Sequence, residues 1–231
     1  MRDQVFSRNY ASTTSETSFI SKVYGWMALA LVVTAVMSMV TISSEALLQL
    51  VYGNQIVFYV LIFGELGLVM YLSSSIHKMS SLTAKVMFFI YAALNGVTIS
   101  YIFFAFTATS IAQVFFITAG TFGIMSVYGM TTKRDLTSVG NLAMMALLGI
   151  IIASVVNIFL GSSTMDYIIS FIGVIVFVGL TAYDAQKIKR INDSGITGEL
   201  ATKGSIIGAL SLYLDFINLF LMLLRLFGDR K

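Results

Sequence analysis

The chain has no cysteine, no proline and a single histidine among its 231 residues. Without cysteine there are no disulfides, thiolate metal sites or cysteine nucleophiles. Without proline, helix breaks must come from glycine or polar insertions, and the proline hinge of many transporters is excluded. Charge is scarce as well: 11% of residues are Asp, Glu, Lys or Arg against 58% hydrophobic, and the mean hydropathy is +0.90. That leaves too little polar surface to cover a water-soluble globule of this length, and the chain reads as an integral membrane protein.

What the sequence does contain is seven long apolar stretches, near residues 22–42, 55–72, 85–106, 110–130, 141–160, 167–183 and 205–227. Each is about 20 residues, enough at 1.5 Å per residue to cross a hydrocarbon core of ~30 Å. The expected architecture is an all-α membrane protein, with a polar cytoplasmic tail over residues 1–21 and one seven-helix transmembrane domain over 22–231. The tail is rich in Ser and Thr and lacks the apolar core and small-residue site of a cleaved signal. Small residues at Gly120, Gly123 and Ser126, at Gly149 and Ala153, and at Gly204 and Gly208 are expected to let helices approach closely.

Orientation follows from the basic residues. With the N-terminus cytoplasmic, the tail and the connections after the second, fourth and sixth helices hold 11 of the 14 Lys and Arg residues. The opposite connections, "SSEALLQLVYGN", "TATS" and "GSSTMD", hold none, as the positive-inside rule requires. Arg225, Arg230 and Lys231 break the pattern if the last stretch crosses fully. A full crossing is nevertheless the preferred reading, because that stretch is long enough and the charge bias is statistical. The net charge of +3 reflects the inner-face bias and calls for no nucleic acid partner.

Chemistry is concentrated in two intramembrane acids. Asp184 closes the run "ISFIGVIVFVGLTAYD", and Asp215 lies mid-way along "GSIIGALSLYLDFINLFLMLLRLFG". An ionisable group near the bilayer centre costs roughly 2.5–3.5 kcal/mol on insertion scales, so such groups face a cavity or a partner. Ser211, Asp215, Asn218, Met222 and Arg225 recur at steps of four and three and share one helix face. The opposite face is Leu, Phe and Ile and is expected to meet lipid, with the polar stripe turned into the bundle. Glu65, Asn95, Asn157 and Asp184 are the other polar groups available to it. Asn95, Asn157 and Ser211 read first as hydrogen-bonding glue between helices, Glu65 as protein-facing between the crowding glycines Gly64 and Gly67, and Arg225 as snorkelling to headgroups. Carboxylates with amide oxygens suit a hard cation such as Ca²⁺. If Asp184 and Asp215 meet, they share a proton, and its loss replaces a hydrogen bond with repulsion. Spacing alone does not show that they meet.

The segments "GLTAYDAQKIK" and "GALSLYLDFINLFLMLLRLFG", with "YGMTTKRDLTSVG" upstream and "SKVYGWMALAL" near the start, resemble the Bax-inhibitor family of small membrane proteins, in its bacterial inner-membrane branch. The similarity runs from about Val23 to Phe227. It implies six helices in two three-helix layers around a central C-terminal helix. It also implies a pH-sensitive passive leak of Ca²⁺, gated by an aspartate pair that matches Asp184 and Asp215, with transient calcium at that pair. Glu65, Ser211 and Asn218 are then candidates for the pathway lining. Some members carry an arginine near the inner end of the second helix that pairs with the aspartates. This chain reads "SSSIHK" there, leaving His77 and Lys78 as the available bases.

Three other readings compete. A membrane interaction protein, modulating a membrane protease or stress response with no significant ion flux, would treat the aspartates as architecture. A proton-coupled exchanger would require a proton gradient. An intramembrane aspartyl protease lacks its glycine-flanked and proline-containing motifs here. No triad, phosphate loop or zinc spacing occurs, so neither an enzyme nor a cofactor is expected.

Overall fold

A computed structural model describes the backbone of residues 2–231 and side chains from Phe19 onward; Arg2 and Arg8 of the expected tail fall outside the described side chains. Among the described residues there are nine helices: α1 (Arg2–Ser43), α2 (Glu45–Tyr52), α3 (Gln55–Ser75), α4 (Ser81–Ile99), α5 (Ile102–Ala105), α6 (Ala108–Thr131), α7 (Thr137–Leu160), α8 (Ser163–Asp193) and α9 (Gly198–Phe227). Seven segments are long and apolar enough to cross a membrane: α1 from Phe19, α3, α4 with α5, α6, α7, α8 and α9. They coincide with the seven stretches read from the sequence, and the protein is an all-α membrane protein. In lipid every backbone polar group must be satisfied within its own segment, which is why apolar runs of this length become helices.

The chain forms two compact units, one of residues 1–101 with 188–210, the other of residues 102–187 with 211–231. In the first, α1 and α4 are joined through small residues. Thr34 Oγ1 donates to Ala92 O at 2.9 Å, and Ser38 Oγ donates to Gly96 O at 2.6 Å. A Cβ on Gly96 would lie 2.4 Å from Thr34 O, so only glycine admits this approach. Trp26 packs edge-on to Phe89, with Lys85 Nζ 5.0 Å from the indole centre. The short α2 is capped by Ser44 and fastened by Tyr52, whose hydroxyl meets Val97 O, Thr98 O and Ser100 Oγ at the end of α4. Gly208 packs against Ile188 and Val23, and Gly204 against Ile196 and Phe19, as their spacing led us to expect.

In the second unit, residues 228–231 fold back onto the segment before α6. Thr107 N donates to Asp229 O, Lys231 N to Ala105 O, Asp229 N to Ser110 Oγ and Lys231 Nζ to Phe103 O. The end of α9 therefore lies at the start of α6. α8 and α9 run antiparallel along this unit.

Two expectations need correction. Gly120, Gly123 and Gly149 have nothing within 4 Å of a built Cβ, nor do Gly64 and Gly67. The close approaches are instead at Gly96, Gly129, Gly140 and Gly173, where a Cβ would come within 3.0 Å of a neighbour. The apolar face of α9 does not meet lipid: 72% of its apolar window is buried, against 11% in α3 and 17% in α7. The lipid-facing surface falls on helices such as α7, where Leu142, Met145, Leu148, Ile152 and Phe159 are exposed.

These glycine environments separate two substitutions that look equivalent in sequence. Gly96→Ala is expected to destabilise the protein by about 1–3 kcal/mol through overpacking, whereas Gly123→Ala, facing open space, is expected to be neutral or slightly stabilising. Thermal unfolding in detergent reads the difference; equal midpoints would contradict the α1–α4 packing described above.

Candidate functional site

Gly173 of α8 sets the register of the site. A Cβ there would stand 2.9 Å from both Cγ and Sδ of Met222, so residue 173 faces residue 222 across the α8–α9 contact. Counting outward along two antiparallel helices, at 1.5 Å per residue and with faces repeating at steps of three and four, Phe177 comes level with Asn218, Leu180 with Asp215, and Asp184 with Ser211. Asp184 and Asp215 thus lie on facing stripes about 6 Å apart along the axis. Lys187 is exposed one turn further on.

The backbone around Asp184 is held on three sides. Gly129 of α6 lies against Ala182, so closely that a Cβ would come 2.1 Å from the Ala182 carbonyl oxygen. Gly140 of α7 leaves the space taken by the Tyr183 ring, 2.5 Å from where a Cβ would be. Gln186 then grips the α6–α7 connection: Leu136 N donates to its Oε1 at 2.9 Å, and its Nε2 donates to Arg134 O at 2.8 Å. Within that connection Asp135 Oδ1 accepts from Thr137 N and Oγ1. The sequence reading missed Gln186, Gly129, Gly140 and Tyr183 as site-forming residues. All four sit inside the segments "YGMTTKRDLTSVG" and "GLTAYDAQKIK", which dock on one another here.

Asp215 has a drier setting. It is 4% exposed, and its Oδ2 is a buried oxygen with no hydrogen-bond partner. Its sequence neighbour Phe216 packs edge-on against Phe115 and Phe122 of α6, and Phe220 against Phe115. Two more buried oxygens without partners belong to the same unit, Ser126 Oγ on α6 and Ser170 Oγ on α8. Buried polar atoms are nearly always bonded, and three such oxygens in one unit are exceptions of the kind that ordered water satisfies.

The remaining candidates divide. Asn218 is half-buried and spends its amide on Leu214 O of its own helix at 2.8 Å, leaving its oxygen side to the stripe. Ser211 is half-buried level with Asp184. Arg225 is exposed at the end of the stripe. Glu65 belongs to the first unit, 7% exposed, where Asn95 Nδ2 donates to it at 3.3 Å and Thr98 Oγ1 also donates to it. It joins α3 to α4, and Asn95 has the helix-joining role expected of it. Asn157 likewise closes the α7–α8 connection, bonding Ser162 and Asp166. His77 and Lys78 are exposed in the turn after α3, in the first unit. Among the described residues no three His, Cys, Asp or Glu side chains are grouped to hold a metal ion. Two carboxylates with hydroxyl and amide oxygens are the donor type that hard cations take.

Comparison with known proteins agrees along nearly the full length. The family model described as "Inhibitor of apoptosis-promoting Bax1" matches residues 16–231. The chain is 49% identical to a protein of Escherichia coli strain K12 named "Inner membrane protein YbhL", covering 93% of this chain and 92% of that one. It is 44% identical to an uncharacterized protein of Rickettsia prowazekii, covering 97% and 95%, and 44% identical to one of Borreliella burgdorferi, covering 94% of each.

The clamp on α8 has a measurable weight. Gln186→Leu leaves Leu136 N and Arg134 O without their partner, at a cost of about 1–3 kcal/mol. A lower unfolding midpoint in detergent is the expected result. An unchanged midpoint for Gln186→Leu would remove the connection from the account of how Asp184 is held.

Proposed function

The chain belongs to the Bax inhibitor family, and on that premise we propose that it is a passive, pH-modulated cation leak in the inner membrane, with Ca²⁺ as permeant ion and Asp184 and Asp215 as its proton-sensing gate. The observation that carries the reading is the buried, unpartnered Oδ2 of Asp215 on a stripe facing Asp184. Two carboxylates shielded from bulk water do not both ionise cheaply, so they hold a proton between them, and its gain or loss changes the force between α8 and α9. Oxygen ligands at Asp184, Asp215, Ser211 and Asn218 provide a weak, multi-site route, the condition for conduction over tight binding. The relative named as an inner membrane protein supports the location. The charge bias supports a cytoplasmic N-terminus: Lys133, Arg134 and Lys187 lie toward one end of the second unit and its "GSSTMD" connection toward the other. No covalent chemistry is assigned to the protein.

Ca²⁺ efflux from proteoliposomes over a range of pH tests the reading. Wild type is expected to leak with a rate that depends on pH, and Asp184→Asn and Asp215→Asn to flatten that dependence. The same flux and pH profile in all three proteins would overturn it. Flux no greater than from protein-free vesicles at every pH would leave the interaction role as the better account, with partner binding kept in both variants.

A further inference from the structure

Among the facing stripes of α8 and α9, one level is built unlike the rest. Polar groups lie on both sides of the Gly173–Met222 contact. Toward the end that carries the C-terminus is Ser170, one turn before Gly173, fully buried and with no partner for its Oγ. Toward the other end, two turns from Met222, is Asp215 with its unpartnered Oδ2. Ser126 of α6 falls at that second level too: Gly129 lies against Ala182, α6 and α8 run parallel there, and three residues back along each gives Ser126 level with Gly179, next to Leu180 and hence Asp215. Between the two groups Met222, 9% exposed, faces Gly173, and Phe177, 3% exposed, faces the half-buried Asn218, so that the level of Met222 is the wholly apolar one.

We propose that Met222, seated in the slot left by Gly173, is the apolar constriction that separates two hydrated pockets along the α8–α9 interface, and that its side chain moves aside to join them. The proposal rests on the cation-pathway reading for its ion, but the constriction itself can be tested without ions. Three physical points carry it. Buried oxygens without protein partners need water or a cation, and they occur on both sides of this level. A short ring of apolar side chains closes a pore by expelling water, with no need for a tight seal. Methionine is unbranched and has three rotatable side-chain bonds, so it can leave a slot by rotation alone, and Gly173 is what makes the slot: a Cβ there would collide with Met222 Cγ and Sδ at 2.9 Å.

The absence of cysteine makes the chain its own background for an accessibility measurement. Asn218→Cys places one thiol on the far side of Met222 from the C-terminal end. In proteoliposomes, a membrane-impermeant thiol reagent added from the C-terminal side is expected to label it slowly when Met222 is present and several-fold faster in the double variant with Met222→Ala. Met222→Leu, which keeps apolar volume, is expected to stay slow. Met222→Gln, similar in length but able to hold water, is expected to be fast and serves if the alanine variant does not reconstitute. Ca²⁺ flux is measured in parallel on the Met222 variants without the cysteine and is expected to rise several-fold for Met222→Ala and Met222→Gln. Faster labelling without a rise in flux keeps the constriction and removes the cation reading. Labelling equally fast with Met222, Met222→Ala and Met222→Gln, or slow in all of them, overturns the constriction whatever the flux.

Discussion

Asp215 holds one carboxyl oxygen, buried and unpaired, on a helix with 72% of its apolar window inside the protein. A buried oxygen without a protein partner costs about 1–3 kcal/mol, and the surrounding packing offsets it. Phe216 and Phe220, beside and one turn beyond Asp215, pack edge-on into Phe115 and Phe122 of α6. Aromatic pairs of this kind contribute roughly 0.5–1.5 kcal/mol each beyond the area they bury. Leu212, Leu219 and Leu224 are wholly enclosed. The strain of the buried acid and the packing that tolerates it therefore lie on the same few turns of α9.

Position matters as much as burial, because the force between two carboxyl groups depends on their separation. Asp184 is kept at its place by contacts that leave α8 little room. Gly129 brings backbone against backbone at Ala182, Tyr183 fills the space over Gly140, and Gln186 bonds both a donor and an acceptor of the α6–α7 connection. None of these residues carries charge, yet they decide where a charge can sit. Asp184 on α8 thus sits in an uncharged frame built from glycines, a tyrosine ring and one amide.

The spans were legible because a run of about 20 apolar residues has few other physical outcomes. Glu65 was legible as protein-facing for the same reason, since a lipid-facing carboxylate is too costly. The apolar side of α9 was misread because lipid tails are as apolar as leucine, so an apolar face does not say whether lipid or protein covers it. The glycines were misread in a related way. Closely spaced glycines such as Gly120 and Gly123 permit an approach without supplying a partner, whereas Gly96, Gly129, Gly140 and Gly173 each meet a particular atom of another helix. Complementarity of that kind belongs to two helices at once, and a single sequence shows only one side of it. Gln186 escaped notice because an amide beside a charged cluster looks like surface, until the carbonyl of Arg134 and the amide of Leu136 are found against it.

The last turn of α9 shows how a statistical rule yields to a specific interaction. Three basic residues, Arg225, Arg230 and Lys231, stand at the end that the charge bias would leave empty. The residues after α9 are fixed by hydrogen bonds between residues 229–231 and residues 103–110, with Thr107, Ala105, Ser110 and Phe103 all engaged. Lys231 places its ammonium group on the carbonyl of Phe103, near the end of α5, where oxygens are left over from the helix. Each such bond is modest in water, at about 0.5–1.5 kcal/mol, but a set of four within three residues gives α9 a fixed end. With that end fixed and α8 gripped near Asp184, side-chain rotation is the least costly motion left at the α8–α9 contact, and Met222 is the long, unbranched side chain placed to make it.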